Sequence, residues 1–165
     1  MTKLPEKNAI QKINYMPQAG YDLDLEIFPV SVLRQRVSAK RLQLTERIAF
    51  YMLIFISDGQ CRHMVDFEWI DCVPGSLLIL QPGQVHRFDM TTDWQGWILL
   101  YRPEFQQPKK TPTSADEQEI FQYLEDLPSG LALDERQQKW ILDTINSMYA
   151  DTQRLVGRNV IHAIS

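Results

Sequence analysis

Three histidines, His63, His86 and His162, carry most of the chemistry this sequence can offer. Imidazole titrates near neutral pH and is a common metal ligand. Glu68 follows His63 by five residues and His86 comes later, so a two-histidine, one-carboxylate set can be drawn. Such a set leaves positions open for iron or manganese chemistry. The tighter H-x-H pair is absent from the chain. On the plainer reading His63 is an exposed strand residue, and His86 is a strand histidine hydrogen-bonded to the backbone. No metal or other cofactor is therefore expected. A metal-dependent enzyme using His63, Glu68 and His86 stands as the alternative.

Other catalytic patterns are missing. There is no G-x-S-x-G, no C-x-x-C and no glycine-rich phosphate loop; the seven glycines are spread as turn residues. Cys61 and Cys72 could face each other across a hairpin, but two small half-buried thiols are the expectation. No catalytic residue is assigned. Binding groups are more plentiful. Arg34, Arg36, Lys40, Arg41 and Arg47 form a basic cluster, from which one or two arginines could turn inward to hold an anionic or polyhydroxyl ligand. Tyr51, Phe55, Phe88, Trp94, Trp97 and Tyr101 are aromatic residues on or beside expected strands. Small barrels hold ligands between a few aromatic walls and a few polar groups.

The elements that must position these residues are short strands. Pro-Gly corners at 74–75 and 82–83 bracket a strand over 76–80. Residues 50–57 read as a strand, Asp58-Gly59 as a hairpin turn, and 61–67 as the returning strand. Strands over 69–73, 84–90 and 95–101 follow. Upstream, 23–33 reads as a strand that Pro29 confines to an edge or a bulge, and 34–47 as a strand, turn and strand entry. Residues 1–20 read as a polar arm with Ile10, Ile13 and Tyr15 as anchors.

The composition changes at 103–114, a proline- and lysine-containing linker. A helix is expected over about 115–127, ended by Pro128, Ser129 and Gly130. Asp134 caps a second, longer helix starting near Glu135. Its Ile141, Ile145, Met148, Thr152 and Leu155 are spaced four, three, four and three apart, a heptad seam, and Trp140 widens the face. That face can pack on its own barrel, on a second copy, or on both. The semi-apolar end, 159–165, reads as a cut made before a further domain.

At 165 residues, with 17 basic and 21 acidic side chains and a net charge of -4, the chain suits one domain, or one domain with an appendage, and its charge argues against a nucleic-acid-binding surface. No signal peptide or membrane-length apolar run is visible, which points to a cytoplasmic protein without membrane contact.

The stretches FYMLIFISDGQCRHMVDFEWIDCVPGSLLILQPGQVHRFDM and WQGWILLYRPEF, within 50–105, resemble the N-terminal sensor domain of AraC-type bacterial transcription regulators. The shared features are an F-Y-x-L hairpin, a P-G-x-L-x-L-x-P-G-x-x-H stretch and an aromatic strand ending in Y-R-P-x-F. The resemblance implies a cupin-like double-stranded β-helix barrel over 21–107 that binds a small organic effector, such as a sugar or related metabolite. It also implies a linker and two-helix dimerisation element over 108–165, and a C-terminal helix-turn-helix domain, outside this sequence, that binds DNA. Many relatives carry H-x-H-D where this chain has Glu46-Arg47-Ile48-Ala49, which points to an organic ligand or to none. The ligand-binding residues expected are Arg47, Tyr51, His86, Phe88, Gln95 and Trp97; the dimerisation residues are Trp140, Ile141, Ile145, Met148 and Leu155.

Overall fold

Residues 51–56 (YMLIFI) are apolar at every position, and four of the five in 76–80 (SLLIL) are. A strand alternates its side chains between two faces, so a run apolar at both parities needs cover on both sides. The computed structural model supplies that cover. It describes residues 10–15, 24–103 and 129–164, with side chains described as far as Leu155. The elements are β1 (Gln11–Ile13), β2 (Leu25–Pro29), α1 (Val30–Arg36), α2 (Ala39–Leu42), β3 (Glu46–Ile48), β4 (Tyr51–Asp58), β5 (Cys61–Val65), β6 (Glu68–Cys72), β7 (Ser76–Leu80), β8 (Val85–Phe88), β9 (Gln95–Tyr101), β10 (Gly130–Ala132) and α3 (Glu135–Ile164).

Two five-stranded sheets form the expected barrel, ordered β1-β3-β8-β5-β6 and β10-β7-β4-β9-β2. All pairings are antiparallel except β1 with β3. Between the sheets lies the main core, with Phe28, Ile54, Ile56, Leu78, Leu80 and Ile98 from the second sheet against Ile48, Val65, Cys72 and Phe88 from the first. The opposite parity of the second sheet, Leu53, Phe55, Leu77, Ile79 and Trp97, makes a separate apolar cluster with Ile141, Leu142 and Ile145 of α3. The mainly β class with a C-terminal helix follows. The helix expected over 115–127 lies outside the described residues.

Four local expectations are corrected. The strand over 23–33 stops at Pro29, which lacks the N–H a continuing ladder needs, and α1 begins at Val30. Residues 34–47 contain two helical turns before β3. Ser38 caps α2 by accepting a hydrogen bond from the Arg41 N–H at 3.3 Å. The helical signal was present: Val30, Leu33 and Val37, spaced three and four apart, all lie against the core. The returning strand of the first hairpin ends at Val65, not 67. Asp66 (φ 49°) and Phe67 (φ 69°) form a two-residue turn into β6 with both residues left-handed. Asp66 tolerates this because it is tied down: Oδ1 accepts from the Val85 N–H at 3.0 Å and Oδ2 from Gln84 Nε2 at 2.9 Å. Finally, the strand over 84–90 spans only Val85–Phe88.

Asp134 caps α3 as expected. Its Oδ1 accepts from the Gln137 N–H at 2.8 Å, and Gln137 Oε1 accepts from the Asp134 N–H at 2.9 Å, a reciprocal box. In the described part of 1–20, β1 adds beside β3, and Ile13 and Tyr15 lie against the core. No helix among the described residues is long and apolar enough to cross a membrane.

Candidate functional site

Two places concentrate chemistry, one on each side of the second sheet. The first is inside the barrel. On β5, Cys61, His63 and Val65 share the inward parity; on β8, His86 and Phe88 do. His63 pairs in register with Phe88, and Val65 with His86, so the two histidines lie on a diagonal between neighbouring strands. His63 Nε2 and His86 Nδ1 are 3.1 Å apart, and both residues are 2 % exposed. His63 is therefore no exposed strand residue, and His86 bonds to an imidazole rather than to the backbone. Phe88 stands edge-on to both rings and stacks on Trp94, which is itself 1 % exposed.

Burial disfavours the charged imidazolium and so lowers both pKa values. His86 falls to about 4; His63 falls well below its ordinary range, with the proximity of His86 adding to the burial. Both are neutral at pH 7, and one ring N–H donates to the other ring's lone pair. Glu46, directly across from His86 in the β3–β8 register, is half-buried; its pKa is raised by loss of water, against the opposing pull of Arg41. The sequence reading had not singled out Glu46. The signal was available, because in a strand with Ile48 inward, Glu46 shares the inward parity. Glu68 is exposed and does not reach the imidazole pair. Among the described residues no three His, Cys, Asp or Glu side chains are placed to share a metal ion.

Cys61 and Cys72 do face each other in register, and both are free and buried rather than half-buried. A hydrogen bond with Cys72, together with burial, raises the Cys61 pKa.

The second place is outside the barrel, under α3. A cavity of about 130 Å³ lies between the helix and the outer face of the second sheet. Ile27, Leu53, Phe55, Leu77, Ile98 and Leu99 line it from the strands, with Trp97; Trp140, Ile141, Thr144, Ile145 and Met148 line it from the helix. Trp97 also meets Tyr149 edge-on at 5.2 Å between centroids. Thr144 is the lone hydroxyl in the lining, and its Oγ1 donates to the Trp140 carbonyl at 2.8 Å.

The six residues expected to bind ligand thus divide three ways. His86 and Phe88 lie inside the barrel. Tyr51, stacked on Tyr101 at 4.8 Å, shares its strand parity with Leu53 and Phe55, and Gln95 shares that of Trp97, so these belong to the outer face of the second sheet. Arg47 is exposed on β3, its Nη1 donating to the Gly83 carbonyl at 2.6 Å. Of the expected dimerisation residues, Ile141, Ile145 and Met148 face the barrel, while Trp140 is 66 % and Leu155 43 % exposed.

The model of the AraC-like ligand binding domain matches residues 30–154. No curated protein matches the sequence significantly. Among solved structures, the chain is similar to the AraC-like transcriptional activator CuxR (15 % identity, TM-score 0.37, 82 % of this chain and 45 % of that one). It is also similar to a cupin 2 conserved barrel domain protein from Rhodopseudomonas palustris (20 %, 0.32, 51 % and 59 %). A third is the EutQ protein of Clostridium difficile (14 %, 0.33, 36 % and 47 %). The chain spans about half the length of each of these three.

Proposed function

Because this chain belongs to the family of AraC-like ligand binding domains, we propose that it is the effector-sensing part of a transcription regulator and responds to a small organic molecule. The observation that carries this reading is the seating of α3. The helix begins at residue 135 and lies on the second sheet through an apolar contact that encloses a cavity. A molecule bound there would touch sheet and helix together. It would favour one seating of α3 over another by its difference in affinity for the two. Through α3 that preference would reach a DNA-binding domain outside this sequence, and the regulator would act in the cytoplasm.

In this reading Trp97 is the effector contact among the residues expected from the sequence. His86 and Phe88 lie on the first sheet, across the barrel core from it. Dimerisation is assigned to the exposed side of α3, at Trp140 and Leu155. The metal-enzyme reading has less support, since Glu68 stands away from His63 and His86.

The test is a thermal-shift screen of this chain with sugars, organic acids and apolar compounds, followed by amide exchange on any hit. A ligand at 100 times its Kd should add about 2.7 kcal/mol of stability, and protection should increase along 135–152. Hits that leave α3 exchange unchanged would sink the proposal.

A further inference from the structure

We propose that the cavity under α3 is a binding site for an uncharged, single-ring aromatic or similarly sized hydrocarbon. This inference rests on the effector-sensing reading and names the ligand class of that site.

The chemistry of the lining decides the class. The lining, with Phe55, Leu77, Trp97, Ile141, Ile145 and Met148, turns almost no polar surface toward the cavity, its indole N–H groups included, and the Thr144 hydroxyl hydrogen is already given to the Trp140 carbonyl. A sugar, carboxylate or amine would surrender its hydrogen bonds to water and find no donor set to replace them. Buried polar groups left unpaired are strongly disfavoured. The size also decides. At about 130 Å³ the cavity is close to the roughly 150 Å³ apolar cavity that stays dry and takes up benzene. Two aromatic walls favour a ring over an open chain: Trp97, braced edge-on by Tyr149, and Phe55, 2 % exposed. Aromatic pairs gain from such edge and offset contacts. Inside the barrel, His63, His86, Phe88 and Trp94 pack ring against ring.

Toluene is the probe, with arabinose and benzoate as polar comparators, on the whole chain. Toluene is expected to raise Tm saturably, with intermolecular NOEs from its ring protons to the Met148 and Ile145 methyl groups. Ile145→Phe and, separately, Ile141→Phe should fill the cavity and weaken toluene binding at least tenfold. The NOEs, read on the unsubstituted protein, keep the test independent of how those variants fold. Toluene inert while arabinose or benzoate shifts Tm would overturn the ligand class and leave the sensing reading standing. NOEs to methyl groups elsewhere, or undiminished binding in both variants, would overturn the site. Silence from all three probes overturns the ligand class too; the sensing reading then falls only if the broader screen is equally silent.

Discussion

The His63–His86 pair sets how the barrel responds to acid. Each ring is buried neutral in the folded protein but charges freely once unfolded. A group whose folded pKa is depressed makes the unfolded state bind more protons in acid, so stability is lost as pH falls. For His86 the loss begins near pH 6.5 and saturates near its folded value of about 4; at about 1.4 kcal/mol per pH unit it totals about 3 kcal/mol. Glu46, whose pKa is raised, works in the opposite sense and offsets part of this just above its ordinary value. We predict that urea unfolding of the chain at pH 7, 5.5 and 4.5 shows this decline, and that His63→Leu/His86→Leu flattens it. His86→Ala alone should cost about 1–3 kcal/mol at pH 7 by leaving the His63 ring nitrogen without its partner. The double change should be no worse, because it removes both partners; a double variant clearly less stable than the single one would contradict the pairing. Sequence pattern showed His86 in a barrel wall but missed His63. Arg62 and Met64 beside it gave no clean alternation, and only the β5–β8 register reveals its depth.

At the scale of elements, the sequence was most readable where turn chemistry and strand pattern agreed. β7 and β9 fall where the Pro-Gly corners and the QGWILLY run put them, and Asp134 opens α3. It was least readable at 23–47, where β-branched residues suggested a strand while the three-and-four spacing of Val30, Leu33 and Val37 gives a helix. Tertiary contact decided between two local preferences there. The Asp66-Phe67 turn was hidden for a different reason: neither residue is glycine, and hydrogen bonds to β8 and Gln84 hold it. Two element-level predictions follow from geometry. At Gly96, opposite Ile56 beside the irregular step in the β4–β9 pairing, a Cβ would stand 2.0 Å from the Phe55 carbonyl oxygen. Backbone cannot yield cheaply, so Gly96→Ala should cost about 1–3 kcal/mol in chemical denaturation. Asp134→Ala removes the acceptor for the Gln137 N–H and should cost about 1 kcal/mol. Unaltered stability in Gly96→Ala would mean that β4 and β9 are spaced more widely than the register implies.

At the scale of the whole molecule, the apolar positions of α3 divide between a side covered by the barrel and an exposed side. Ile141, Ile145, Met148 and the buried Thr152 lie toward the barrel, where the doubly apolar strands β4 and β7 need cover. The sequence pattern alone could not separate this from a coiled coil, since both demand the same spacing. Trp140 and Leu155 remain exposed, and large exposed apolar groups on one helix suit a second copy. The two surfaces respond differently to charge. Ile145→Glu places a carboxylate against Phe55 and Leu77, so it should destabilise the chain by about 2–4 kcal/mol. Trp140→Glu/Leu155→Glu changes two exposed side chains, of which Trp140 also edges the cavity, so it should cost less stability than Ile145→Glu. If α3 also joins two chains, that double variant should run as a monomer in light scattering at concentrations where the unaltered chain is a dimer. A double variant that stays dimeric would move the interface off this side of α3. An Ile145→Glu variant as stable as the parent would mean that the helix does not rest on the sheet in solution. The pair of measurements therefore separates the helix as a cover for the barrel from the helix as a joint between chains.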